Sequence, residues 1–411
     1  MTMLNMAVTS TVYRFCLPTR ADIGYAQNMQ NERKHIAVVG AGAFGGWTAL
    51  HLLRAGARVT LLDAWGPGNS RASSGGETRI IRGSYLDRIY VQLTARSLAL
   101  WKENQTRWDR RIFHQSGVMR FGVAGSPFQK VVPPLLREAG IAFEELTPAH
   151  AARQFPKVNF EGVAWVLHER DTGYLLARRG CAAVVEGFQR ENGEYRQLAV
   201  EPGAVSGGAM RSVKLSDGST LAADQFVFAC GPWLGKVFSD VIGNRVKPSR
   251  QEVFFFGTAA GDPTFLDQRM PAWIDSSDRG FYGIPGNEWR GFKVADDRHG
   301  AAFDPTSGDR TASPEGIRSA REYLAFRFPA MKGAPLVESR VCQYENSPDG
   351  HIILDRHPSA KNVWLLGGGS GHGYKLGAGL GELAAQIVLE KRPIEPFFQM
   401  ARLSATPPVS R

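Results

Sequence analysis

Residues 35–63 read HIAVVGAGAFGGWTALHLLRAGARVTLLD. The run His35–Val39 is short and apolar, and glycines close it. Gly40-x-Gly42-x-x-Gly45 follows, and Thr48 to Leu53 then carry apolar residues at helical spacing up to Gly56. A second apolar run, Arg58–Leu62, ends on Asp63. Strand, glycine turn, helix and strand within about 30 residues form one βαβ unit. Gly40 permits the tight turn, Gly42 lets the backbone approach a pyrophosphate, and Gly45 lets the helix pack close to the strand. Ala43 and Phe44 open the helix, whose N-terminus presents N–H groups and partial positive charge. Asp63 is placed to accept hydrogen bonds from a ribose diol. The motif does not choose between NAD and FAD.

A second glycine cluster lies near the C-terminus. Residues 366–375 read LGGGSGHGYK and lead into an apolar-faced helix from Leu376 onward. Such a helix start can stabilise negative charge at the N1–C2=O edge of a reduced flavin. A nicotinamide ring, cationic when oxidised, gains nothing there. The cluster therefore favours a flavin, with a plain flexible turn as the alternative.

The chain has 411 residues, a length suited to two domains. Hydrophobic residues make up 43% and charged residues 21%, which excludes a disordered, fibrous or coiled-coil chain. No apolar run approaches the roughly 18 to 20 residues of a membrane helix, so no membrane association is expected. Lys plus Arg (49) exceed Asp plus Glu (39) by ten. The basic residues are scattered, without a run of five, so nucleic-acid binding is not expected either. Cys16, Cys181, Cys230 and Cys342 stand far apart with no CxxC, a sparse usage that suits a reducing cytoplasm. The first 34 residues lack the apolar core of a signal peptide. Met29 offers an alternative start, and a disordered tail is the other reading.

Between the two glycine clusters, helices are predicted over 88–104, 177–191 and 314–328, with a last one near 376–391. Strands are predicted over 117–123 and 163–170, within 204–229 and 247–295, and near 336–345, 351–355 and 363–366. The fold class is α/β (α+β): a nucleotide domain assembled from separated segments, with a mostly antiparallel substrate domain inserted. Residues 1–34 form an N-terminal extension. Residues 35–114, 165–238 and 350–402 form the nucleotide domain, and 115–164 with 239–349 the substrate domain.

Three further segments, in order along the chain, resemble the monomeric sarcosine oxidase and N-methyltryptophan oxidase family of flavin enzymes. They are SSGGETRIIR at 73–82, RVCQY at 340–344 with DGHIILD at 349–355, and GSGHGYK at 369–375. With the dinucleotide motif, the resemblance runs from about residue 35 to 400. It implies an FAD domain of the glutathione-reductase type and a substrate domain with a large, mostly antiparallel sheet. It also implies oxidation of a C–N bond by FAD, with dioxygen as the second substrate, giving an imine and hydrogen peroxide. The protein is expected to be a monomer or small homo-oligomer.

The resemblance assigns roles residue by residue. Cys342 matches the cysteine joined to the flavin 8α-methyl group, so a covalent flavin is expected. Arg82 and Lys375 match the pair that binds the substrate carboxylate. Arg79 matches an arginine stacked near the flavin. Lys293 matches the lysine that hydrogen-bonds through water to flavin N5 and activates oxygen, and Tyr282 and Tyr344 match tyrosines of the substrate cavity. Ser73, Ser74, Gly369, Gly371, His372 and Gly373 fall in the segments expected to meet the cofactor. Gly231-Pro232-Trp233 is expected to be a turn beside it.

Simpler explanations exist for each. Arg79 and Arg82 stand three apart, which also suits a solvated helix face. Lys293, near Asp296, Asp297 and Arg298, also suits a solvated loop, and Cys342 a buried strand. Members acting on small N-methyl substrates have histidine where this chain has Gly75 and again where it has Asp297. The cavity is therefore expected to be larger than sarcosine needs, with Asp297 facing either a cationic substrate group or solvent. Two other readings stay open: a dehydrogenase passing electrons to a non-oxygen acceptor, and a non-catalytic flavoprotein subunit.

Overall fold

The computed structural model describes residues 33–404. The N-terminal extension, apart from its last two residues, lies outside them, as does Cys16. The chain opens with β1 (His35–Val39), α1 (Ala43–Arg54) and β2 (Arg58–Leu62). Next come β3 (Thr78–Ile81), α2 (Arg88–Arg107), β4 (Val118–Gly122), β5 (Trp165–Glu169) and β6 (Gly173–Leu176). The middle holds α3 (Ala177–Arg190), β7 (Gln225–Phe228), β8 (Lys247–Phe256), β9 (Ala272–Asp275), β10 (Phe281–Ile284) and β11 (Phe292–Asp296). The last elements are α4 (Pro314–Arg327), β12 (Leu336–Asn346), β13 (Ile353–His357), β14 (Ala360–Gly367) and α5 (Gly377–Val388).

A six-stranded sheet runs in the order β13, β14, β7, β1, β2 and Glu194–Arg196. Its strands are parallel except for the antiparallel pair β13–β14. All five residues of β1 are buried, as an apolar strand covered on both faces requires. α1 and α5 pack closely at Gly381, where a Cβ would stand 2.6 Å from the Trp47 Cβ. Segments more than 300 residues apart thus meet in one sheet, which the sequence reading anticipates.

An eight-stranded sheet runs β12, β8, β11, β10, β9, β4, β5 and Phe143–Leu146. Only its β9–β4 pair is parallel. β5 pairs here, although the sequence division counts residues 165–238 with the nucleotide segments. Side chains alternate between the two faces of each strand. Met119, Phe121, Phe254, Trp273, Phe292 and Val294 point to the back, into a core closed by Tyr323 and Leu324 of α4. The buried pair Arg327–Asp275 (2.8 Å) ties α4 to β9, and Arg327 also donates to the carbonyls of Asn159 and Glu161. The opposite face carries Val118, Ala272, Ile274, Tyr282, Ile284, Val253, Phe255 and Ala295.

Some elements differ from expectation. Arg79 lies in β3, which pairs antiparallel with β6, so the segment is a strand rather than a helix face. The helices Phe128–Glu138 and Pro148–Gln154 are not anticipated by the sequence. The first contains Pro133 and Pro134, residues that ordinarily argue against a helix interior. The last helix is preceded by a 3-10 turn, Tyr374–Leu376, and α5 itself ends at Val388.

Candidate active site

Two glycine turns and the front face of the large sheet build the site. Gly40 has a φ of +105°, and a Cβ there would overlap the Ala229 carbonyl. A Cβ on Gly45 would overlap the Gly40 carbonyl, so α1 can begin this close to β1 only with glycine at both positions. At Gly42 a Cβ would meet only Ser74 Oγ, at 3.4 Å, and the start of α1 stays open. Ala43 N donates to Ser74 Oγ (3.1 Å). Asp63 accepts from Ala41 N (2.8 Å), Trp65 N (2.9 Å) and Gly66 N (2.8 Å), which locks the turn. Burial raises its carboxyl above the usual range.

A cavity of about 280 Å³ follows this turn. Gly40, Gly42, Ala43, Phe44 and Asp63 line one part of it. Ser73, Ser74 and Arg79 line another, and Tyr344, Gly369, Gly371 and Gly373 a third. The 3-10 turn Gly231–Trp233 contributes as expected. A second cavity of about 240 Å³ holds Lys293, Cys342, Gly75 and Gly76, and shares Ala72 and Arg79 with the first. Gly75 does not open space: a Cβ there would overlap the Asn69 carbonyl, so backbone fills part of the room a side chain would take. That corrects the expectation of an enlarged cavity at this position.

β3 joins two groups of cations. At its start, Arg79 donates to Thr78 O (2.9 Å), Ser73 O (2.7 Å) and Cys342 Sγ (3.3 Å). Lys293 Nζ donates to the same Thr78 carbonyl (2.9 Å) and lies 5.4 Å from the Tyr282 ring centre. Lys293 is 1% exposed and therefore no loop charge. Burial first, and then the charge of Arg79, holds its amine well below the usual range. Register places Cys342 opposite Gln251 and Lys293 opposite both Phe255 and Ile284, so both side chains share the front face with Tyr282. Burial raises the Tyr282 phenol to about 12.

Just past the end of β3, Arg82 donates to Ser84 O (2.5 Å) and stacks on Tyr85 at 4.5 Å. Lys375 Nζ donates to Tyr85 Oη and His372 O, both at 3.0 Å. Burial, and next the charge of Arg82, holds Lys375 well below the usual amine range. His372 bridges Tyr85 Oη (3.2 Å) and Gly350 O (2.9 Å), so it sits behind the glycine turn and supports it. Asp297 is exposed and accepts from Tyr344 Oη (3.0 Å).

Three residues that the sequence reading does not single out belong to the same region. Glu169 accepts from Gly83 N (2.7 Å) and Ser84 N (3.0 Å), and so fixes the turn that carries Arg82. Arg120 is buried on β4 and reaches the same Ser84. Glu345 lines the first cavity, accepts from Gly369 N (3.2 Å), and is pushed by burial up to about 7. None lies in a recognisable motif, and only the fold brings them here.

Ser73 Oγ, Thr78 Oγ1, Glu345 Oε2 and Arg82 Nε are buried without a hydrogen-bond partner. These atoms, the open helix start and the two adjoining cavities fit an FAD molecule. Fold and site together define a dinucleotide-binding flavoprotein. The model of the family described as FAD dependent oxidoreductase (DAO) matches residues 35–387, and the chain belongs to that family. Monomeric sarcosine oxidase of Streptomyces avermitilis is 29% identical over 384 residues, covering 90% of this chain and 98% of that protein. N-methyl-L-tryptophan oxidase of Salmonella arizonae is 28% identical, covering 90% and 99%. Among solved structures, L-proline dehydrogenase from P. horikoshii superposes with a TM-score of 0.78 at 19% identity, covering 91% of this chain and 98% of that one. Fructosamine oxidase from Aspergillus fumigatus gives 0.76 at 18% identity, covering 91% of both chains. Both structures share the fold. Among the described residues, no helix is long and apolar enough to cross a membrane.

Proposed function

We propose that the chain is an FAD-dependent oxidase of a secondary amine bearing a carboxylate, an N-substituted amino acid, with dioxygen as electron acceptor. One observation carries this reading. Two buried amines and two half-buried guanidinium groups stand at the ends of β3, Lys293 with Arg79 at one and Lys375 with Arg82 at the other, and none makes an ion pair with a carboxylate among the described residues. A buried charge without a partner is costly, so such a site gains by receiving anionic groups. The relatives, sarcosine oxidase and N-methyl-L-tryptophan oxidase, support the same class of substrate.

FAD, when bound, supplies the two-electron acceptor. Arg82 and Lys375 hold the substrate carboxylate and orient the C–H bond that breaks. Tyr282 and Tyr344 wall the cavity, and Tyr344 is held by its bond to Asp297. The substrate loses a hydride from carbon and a proton from nitrogen, leaving an imine that water hydrolyses. On the other side, Lys293 Nζ would take the proton lost from nitrogen, hold positive charge where negative charge develops on dioxygen, and pass the proton on, so that hydride and proton leave together as hydrogen peroxide. Cys342, held against Arg79, is the attachment point for a covalent flavin. The six-stranded sheet with its helices forms the cofactor domain, and the eight-stranded sheet the substrate domain. Anaerobic bleaching by N-methyl amino acids, followed by peroxide release on admitting air, tests the reading. Bleaching with no peroxide points to a dehydrogenase, and no bleaching by any carboxylate-bearing amine refutes the proposal.

A further inference from the structure

Arg120 is the one charged residue in its row across the large sheet between Leu167 and Tyr282. Register sets it opposite Leu167 on β5 and Ile274 on β9, and Ile274 stands opposite Tyr282 on β10. Two strand spacings, about 10 Å, therefore separate the Arg120 and Tyr282 backbones on the front face. Arg120 as a whole is 5% exposed. Its contacts are Ser276 Oγ at 2.6 Å, Ser84 Oγ and Ser84 O both at 3.4 Å, and the Phe128 ring at 4.3 Å. Only the first is a short hydrogen bond, and no carboxylate of the described residues lies within ion-pair distance of it.

Arg82 donates to the same Ser84 carbonyl, so two guanidinium groups converge on one oxygen. Lys375 joins them through Tyr85, whose ring also lies under Arg82. Glu169 offsets one of these three charges, but each of its oxygens already accepts a backbone N–H. Asp297 is exposed and bonded to Tyr344. The charges of Glu169 and Asp297 both act on Arg120 and Lys375, but neither carboxylate is within ion-pair distance of the Arg120 guanidinium.

We propose that Arg120 is a specificity-determining residue that binds a second anionic group, so that the substrate is an N-substituted acidic amino acid. This rests on the reading that Arg82 and Lys375 take the first carboxylate. Of the two expectations for Asp297, a cationic substrate group or solvent, its exposure and its bond to Tyr344 favour the second. A second carboxylate three or four bonds from the first reaches Arg120 while the first stays with Arg82 and Lys375, and a neutral side chain leaves the guanidinium unpaired.

The test titrates the flavin absorbance of the holoenzyme with glutarate and with valerate, which has the same chain length and one carboxylate fewer. Glutarate is expected to bind at least about tenfold more tightly, and Arg120→Met to bring the two within about twofold, because one charge-assisted pair is removed. Equal affinities in the unsubstituted protein overturn the proposal, as does a preference for glutarate that survives in Arg120→Met. If Arg120→Met does not fold, Arg120→Lys serves instead: it keeps the charge but loses the fork, and an intermediate preference is expected, whereas an unchanged one overturns the role. If neither acid perturbs the flavin, the carboxylate site itself fails, and the functional reading falls together with this one.

Discussion

Lys293 and Glu345 show how one buried group can carry a distinct chemical task. Replacing Lys293 by methionine keeps the volume and removes the proton-accepting Nζ. Reoxidation of reduced flavin by dioxygen should slow by about 10²-fold or more, the scale for losing one group that stabilises a developing anion, while reduction by the amine changes far less. Stopped-flow measurement of the two half-reactions checks this, and equal slowing of both would place Lys293 in substrate binding or folding instead. Glu345 makes a pH prediction. Its carboxyl is raised from 4.5 to about 7 by burial, so the folded chain favours the neutral form. The stability tied to that form is complete below the unfolded value and is lost as pH rises through about 7. Glu345→Gln should therefore melt at a higher temperature than the unsubstituted protein at pH 8, with the gap shrinking towards pH 5. A gap independent of pH would show that ionisation of Glu345 is not its cause.

At the scale of elements, periodicity and punctuation made much of the fold readable. β1 to β2 follow from an apolar run, three glycines and an acid, whereas β12 alternates in burial and not in residue type. The helix Phe128–Glu138 was hidden by its two prolines, and short strands such as Phe143–Leu146 carry too few residues to show a period. Candidate residues within motifs could be named from the sequence, while Arg120, Glu169 and Glu345 could not, because only pairing between strands distant in sequence brings them to the same region. The same holds for Arg327 and Asp275, whose pairing joins α4 to β9. Arg327→Met leaves Asp275 buried and unpaired, and should cost about 3–5 kcal/mol of stability. Chemical denaturation measures that loss, and a cost below about 1 kcal/mol would mean that the ion pair adds nothing over an apolar contact.

For the whole molecule, turns at the ends of the six-stranded sheet and strands of the eight-stranded sheet both line the cofactor cavities. β12 brings Cys342 of the eight-stranded sheet to Arg79 of β3, a strand paired with β6 outside both large sheets, and the first cavity is lined by both the Gly40 turn and Tyr344 of β12, so a flavin bound there would touch both halves. A ligand held only by the folded state stabilises it by about 2.7 kcal/mol at a hundredfold excess over its dissociation constant. Cys342→Ala should release its flavin on acid precipitation, while the unsubstituted protein gives a yellow pellet. The stripped variant should melt lower than the holoprotein and recover most of the difference when FAD is added back. A colourless pellet from the unsubstituted protein would remove the covalent link, and a melting temperature indifferent to FAD would remove the coupling between the halves.

The overlap at Gly75 bears on descent. A histidine cannot simply be restored there, because its Cβ would collide with the Asn69 carbonyl. The loop from Asn69 to Gly75 and the side chain at its end are therefore epistatic: each change is harmful without the other. A lineage moving between the histidine-bearing pocket and this one must first loosen the loop, and the order of the two mutations is constrained. With the Asn69 carbonyl where it is, any side chain at position 75 requires the loop to move first, so the two changes cannot be made in either order at equal cost.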